Sequence, residues 1–319
     1  MFNKLCPVLL GSVFAAEGAI WNYTLNGADW PKLDAIEDNQ CGGTTQSPIN
    51  LPTEMDESKI RDSDADFFGR IYTNIIDQSV TFDGSTSVVQ YLTPGLPSHF
   101  KSDFNLDDRL TSPVWKATKF HFRSGSEHTI DRKRYNLEMQ IMHTPSIPIG
   151  ADNSGYFQAG VGILFDANPE YAQEFSDEVI QTIDDFFDSL RWDIDLLNPK
   201  VKEIQAGNLL SIINMKDRWT YKGSLTTPPC STSVLWNVLT TVYPIKQSHI
   251  DEFKTQLARN KDYNLAEVGN FRVAQTINDH DLMMIQSESP PPNLRPAFIV
   301  LAVFMVIFLI TLASFVIYS

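Results

Sequence analysis

The chain has 319 residues, 43% of them apolar, which is enough for one large domain with a substantial core. Lysine and arginine total 25 against 39 acidic residues, giving a formal charge of −14. That balance excludes nucleic acid as a natural partner: phosphate binding needs a basic stripe, and the only dense basic run, Arg132-Lys133-Arg134, reads as a solvated turn.

Residues 1–16 carry a lysine at position 4, an apolar stretch from Val8 to Phe14 and the small pair Ala15-Ala16. This is the pattern of a short secretory signal peptide, removed from the mature protein. Its removal takes Cys6 away and leaves Cys41 and Cys230, two cysteines that suggest one bridge. Asn22-Tyr23-Thr24 is an N-glycosylation sequon, which matters only in the secretory pathway and makes Asn22 the expected glycan site. From residue 17 to about 285 the chain reads as one domain. Strand-like alternation appears at 67–74, 79–82 and 85–90.

The run from Phe120 to His143 carries the chemistry. Phe120, Phe122, Leu137, Met139 and Ile141 alternate with polar side chains at a period of two, so the run reads as two strands joined by a charged turn. His121 and Arg123 then share one face, as do Glu138, Gln140 and Met142, and antiparallel pairing gathers His121, Arg123, Glu138 and Gln140 into one polar cluster. After a Pro- and Gly-rich loop through Gly155 comes an apolar strand from Gln158 to Phe165. Asn168-Pro169-Glu170 reads as a helix start, with Val179, Ile180, Ile183, Phe186, Phe187 and Leu190 recurring at helical spacing. The acids Asp177, Glu178, Asp184, Asp185 and Asp188 are expected on that helix's solvated face. The chain closes with a Pro-rich linker at 286–296 and an uncharged stretch at 297–318, long enough to span a bilayer and equally suited to be the removable tail of a GPI-attachment signal. Either way the domain is expected outside, on a membrane.

The Phe120 to His143 run resembles the metal-binding region of the α-class carbonic anhydrases, whose pattern is Phe-His-x-His, Ser-Glu-His and Glu-x-His. Further landmarks follow in the family's order: Trp21-Asn22-Tyr23 with Gly27 and Trp30, Cys41-Gly42-Gly43 through Asn50, Gly223 through Cys230, Trp236, and Asn270-Phe271-Arg272 with Gln275. The resemblance covers roughly Trp21 to Gln275. It implies a mainly β fold with a large, twisted, mostly antiparallel central sheet and peripheral helices, and in secreted members a disulfide joins the positions of Cys41 and Cys230. It places the three zinc ligands at His121, Arg123 and Gln140, with Ser126, Glu127, His128, Glu138 and His143 as supporting residues that keep the family's identity.

Two of the three ligands are thus replaced. Arginine has no lone pair to donate and puts a fixed positive charge where the cation should sit. One imidazole and one amide form a poor zinc site. The family's pairing of Glu127 with Thr226, which orients metal-bound hydroxide, survives as residue identities, and the counterpart of the proton-shuttling histidine is Gln78, which cannot titrate. Arg123 either pairs with Glu138 or Glu127 or stands at the cleft floor as an anion site for bicarbonate or a carboxylate. The expectation is a membrane-attached, extracellular carbonic anhydrase-related protein without zinc or CO2 hydratase activity, acting as a binding or adhesion module for a protein or glycan ligand. The alternatives are an active zinc lyase with an altered ligand set and a structural subunit of a membrane assembly.

Overall fold

The computed structural model describes residues 21–62, 68–90, 98–102, 114–146, 156–194, 198–261, 263–278 and 280–287. The expected signal peptide at 1–16, the tail at 297–318 and nearly all of the linker lie outside the described residues. Among those described, no helix is long and apolar enough to cross a membrane.

An 11-stranded sheet dominates the described residues. Seven of its strands matter here: β1 (Ser87–Gln90), β2 (Val114–Arg123), β3 (Leu137–Pro145), β4 (Gln158–Asp166), β5 (Arg218–Ser224), β6 (Thr232–Pro244) and β7 (Met283–Gln286). Their order across the sheet is β7, β5, β6, β4, β3, β2, β1. The pairings are antiparallel except at the centre, where β4 runs parallel to β6, and at one margin, where β7 runs parallel to the short strand Ile60–Asp62. The sheet is therefore mixed, and mostly antiparallel as expected.

The period of two feeds two cores. Leu235 and Leu239 of β6 join one apolar cluster, while Val234, Trp236 and Val238 join the other on the opposite face. Strands buried on both faces read as near-continuous apolar runs, which is what Val161 through Phe165 of β4 show. On β2 the same alternation sends Phe120 and Phe122 to the side of helix α1 (Asp177–Ser189), where their rings meet Phe186 at 6.0 and 6.4 Å between centroids. His121 and Arg123 are left facing the other way, into the cleft.

Three local expectations are corrected. The helix does not run on from Pro169: Pro169–Ala172 is a single turn, and α1 begins at Asp177, where the Ser176 side chain accepts from the Val179 N–H. A serine cap followed by Asp177 and Glu178 satisfies orphan donors and suits the helix dipole better than continuation would. Asp184 is not on a solvated face. It is buried, with Lys246 Nζ at 2.8 Å and His249 Nε2 at 3.4 Å, because helix α2 (Gln247–Leu257) packs beside α1. In the basic run, Arg134 is half-buried, stacks 3.9 Å from the Phe271 ring centroid and donates to the Ser126 carbonyl, so that turn is only partly solvated.

Candidate functional site

The β2–β3 ladder sets Gln140 opposite His121 and Glu138 opposite Arg123. All four side chains are buried. His121, Arg123 and Gln140 line a cavity of about 230 Å³ together with Thr226, Thr227, Lys119, Asp83 and Gln158, and with apolar walls from Trp21, Val88, Met142, Leu225 and Trp236. The polar cluster expected from alternation is therefore real.

Its hydrogen bonds are unlike those of a metal site. The Gln140 amide nitrogen has two hydrogens, and each has a carboxylate to meet: Nε2 lies 2.9 Å from Glu127 Oε2 and 2.9 Å from Glu138 Oε1. Glu138 is pinned further by the backbone N–H groups of Glu127 and His128, each 2.8 Å from Oε2, and by His128 Nδ1 at 2.8 Å. Burial works against its charge, but His128 and these hydrogen bonds outweigh it and hold the carboxyl below its ordinary range. The other Glu127 oxygen accepts from the Arg272 backbone N–H at 2.9 Å.

Arg123 is paired. Its Nε lies 3.4 Å from Glu127 Oε2, and Nη1 donates to the Tyr23 hydroxyl at 2.8 Å and the Asn270 carbonyl at 3.4 Å. Burial opposes this charge, yet Tyr23, Glu127, Asp83 and Glu138 together hold the guanidinium above its ordinary value. His121 responds in the opposite sense: burial first, then the charges of Arg123 and Lys119, push its imidazole well below the histidine range, with Gln140 pulling weakly upward. The cleft floor is thus a neutral imidazole beside a permanently charged, internally compensated arginine.

The three positions that the family uses for zinc do not fit the metal. They offer one imidazole, one amide already turned toward two acids, and a guanidinium with no donor pair. Among the described residues, no group of three or more His, Cys, Asp or Glu side chains could hold a metal ion. His128 and His143 offer no relocation: His128 has Glu138 on one ring nitrogen and the Tyr221 hydroxyl at 2.7 Å on the other. His143 has Ala159 O at 3.3 Å from Nδ1 and the Tyr72 hydroxyl at 2.8 Å from Nε2, and burial drives its pKa down to about 3.

The pair that the family makes between the positions of Glu127 and Thr226 is not formed here. Gln140 and Arg272 occupy the two Glu127 oxygens, and Thr226 lines the cleft without a hydrogen bond to Glu127. Gln78 lies on the strand Ile75–Ser79, paired with Val201, and does not line the cavity. Asn22 is half-buried, its Oδ1 accepting from the Thr24 N–H. Tyr23, Asn270 and Arg272 hold the site together, though in the sequence they stand only as landmarks of the family resemblance. Their sequence distance from β2 and β3, 100 to 147 residues for the Arg123 contacts, hides the contact from any local pattern.

Cys41 and Cys230 form a disulfide with Cα atoms 4.9 Å apart. Such a bond belongs to an oxidising compartment such as the secretory pathway. Around it, Arg272 Nη2 donates to Cys41 O and Gln46 Nε2 to Cys230 O, at 2.8 and 3.1 Å. The bridge therefore fastens the Thr226-bearing loop to the same network that supports Glu127.

Residues 26–285 match the model of the eukaryotic-type carbonic anhydrases. The chain is 27% identical over 285 residues to the human carbonic anhydrase-related protein, covering 82% of this chain and 89% of that one. It is 27% identical over 297 residues to human carbonic anhydrase 6, covering 84% and 88%. A similar segment makes up 10% of the human receptor-type tyrosine-protein phosphatase zeta, 25% identical over 73% of this chain. Among solved structures, the halotolerant carbonic anhydrase from Dunaliella salina superposes with a TM-score of 0.63 at 20% identity, covering 84% of this chain and 99% of that one. With the sheet, the β2–β3 register and the Cys41–Cys230 bridge in place, the match across residues 26–285 leads to one conclusion: the chain belongs to the eukaryotic-type carbonic anhydrase family.

Proposed function

We propose that the chain is a carbonic anhydrase-related protein that binds no zinc, does not hydrate CO2, and works as a membrane-attached binding module on the extracellular or lumenal side. The observation that carries this reading is the Arg123 guanidinium at a ligand position, held there by Glu127, Tyr23 and Asn270. A catalytic zinc requires three donor side chains and an open position for water. Here a cation built into the protein already neutralises the buried acid, and Gln140 ties Glu127 to Glu138. The similarity to a small part of a receptor-type phosphatase supports the module role, since there a domain of this kind is one piece of a larger receptor. The uncharged stretch at 297–318 supports attachment to a membrane, as a span or through a GPI anchor. The test is elemental analysis of the purified full-length chain together with a CO2 hydration assay. The reading requires zinc at background and a rate equal to buffer; one zinc per chain with measurable hydration would overturn it.

A further inference from the structure

The cleft is closed to zinc but is not featureless, and its chemistry selects a kind of ligand. Arg123 has Glu127 at 3.4 Å, while Lys119 and Asp83 line the same wall with opposite charges and no ion pair between them. Gln158 Oε1 is a buried acceptor with no hydrogen-bond partner, Gln140 Oε1 has only the His121 ring beside it, and Arg123 Nε makes no hydrogen bond of its own, with Glu127 Oε2 at 3.4 Å. Unmet buried polar atoms are uncommon, and each asks for an explanation. The Gln140 amide cannot turn over to relieve its oxygen, because its nitrogen serves two carboxylates. Two carbonyl oxygens repel an anion and attract hydroxyl hydrogens. Beside them, half-buried Trp21 and buried Trp236 supply aromatic surface, and Thr226 and Thr227 supply hydroxyl groups.

We infer that this cleft binds a neutral polyhydroxylated ring, a single sugar residue such as the terminal hexose of a glycan, with its hydroxyls donating to Gln158 and Gln140 and its apolar face against Trp21. A cavity of about 230 Å³ is small beside the roughly 300 to 1,000 Å³ of sites for drug-sized ligands, so one ring is accommodated rather than an oligosaccharide. This inference rests on the binding-module reading and names its ligand class.

The experiment titrates the purified full-length chain with methyl hexopyranosides and, separately, with sodium acetate, following tryptophan fluorescence and ligand saturation-transfer NMR, with zinc content measured on the same sample. At least one glycoside should bind with a dissociation constant of about 1 mM, the weak range expected of a single ring. Acetate should bind at least tenfold more weakly. Gln158→Leu, which removes an unmet acceptor at a half-buried position, should fold with unchanged or higher stability and bind the glycoside about five- to tenfold more weakly, the worth of one neutral hydrogen bond. No binding by any hexoside up to about 50 mM, acetate binding as well as the sugar, or full affinity in Gln158→Leu would each overturn the inference. A zinc-free chain that binds no sugar refutes the inference alone, whereas zinc at one per chain refutes the underlying reading, and the sugar result is then judged by the same three outcomes.

Discussion

At the scale of single residues, the site is built on a buried ion pair, Arg123 with Glu127. Arg123 and Glu127 are both almost free of solvent, so removing one leaves the other as an uncompensated buried charge, a loss of about 3 to 5 kcal/mol in comparable pairs. Glu127→Gln and Arg123→Met should therefore each destabilise the chain strongly, and the double substitution should cost less than the sum of the two. Urea unfolding of the four proteins measures this; additive costs would mean that the pair is not coupled. His143 supplies a pH dependence. Its folded-state pKa of about 3 lies below the ordinary histidine value of 6.5, so the unfolded chain binds the extra proton in that window and stability falls as pH drops from 6.5 towards 3. The loss from this residue is about 4 kcal/mol at the acid end. The buried imidazole of His121 and the carboxyl of Glu138 act in the same direction, so His143→Phe should flatten the dependence of unfolding midpoint on pH between about 7 and 4 without abolishing it. Equal slopes in the two proteins would assign the acid sensitivity elsewhere.

At the scale of elements, the β2–β3 ladder was legible because its period of two is strict from Phe120 to Phe122 and from Leu137 to Ile141, and it needs only one face choice to bring four polar residues together. What the alternation could not tell was whom those residues bond. Gln140 was readable as a missing ligand, but that its two amide hydrogens would bridge Glu127 and Glu138, and so displace Thr226 from Glu127, depends on three-dimensional distances. Helix α1 was legible in its apolar stripe and misread in its start, since Asn168-Pro169 and Ser176-Asp177 are both good caps and only packing selects the second for a long helix. The close approach of β4 and β6 is another element-level fact. Gly160 sits opposite Trp236, and a Cβ there would fall 2.6 Å from the indole ring. Gly160→Ala should cost about 1 to 3 kcal/mol and shift a wall of the cleft. Thermal unfolding with tryptophan fluorescence reads both effects, and an unchanged melting temperature with an unchanged emission spectrum would show that the strand pair gives way freely.

At the scale of the whole molecule, the site is where distant parts of the chain are fastened. Tyr23 comes from the beginning of the described chain, Asn270 and Arg272 from near its end; Tyr23 and Asn270 close on Arg123 of β2, and Arg272 on Glu127. The Cys41–Cys230 bridge, spanning a separation of 189 residues, ties the Thr226 loop into the same junction, and a loop of that length contributes about 2 to 5 kcal/mol through the unfolded chain. Glu127, Glu138 and His128 each have a structural part in this junction through their buried hydrogen bonds. On the proposed function, Arg123 and Gln140 together exclude zinc. The most direct test is zinc content, by elemental analysis after dialysis, in Arg123→His, Gln140→His and the double substitution, each checked for an unchanged melting profile. The double variant rebuilds three imidazoles with His121 and frees a Glu127 oxygen for Thr226, so it should hold about one zinc per chain, while each single variant, with two imidazoles at most, should hold none. A folded double variant that remains free of zinc would contradict the claim that these two positions exclude the metal.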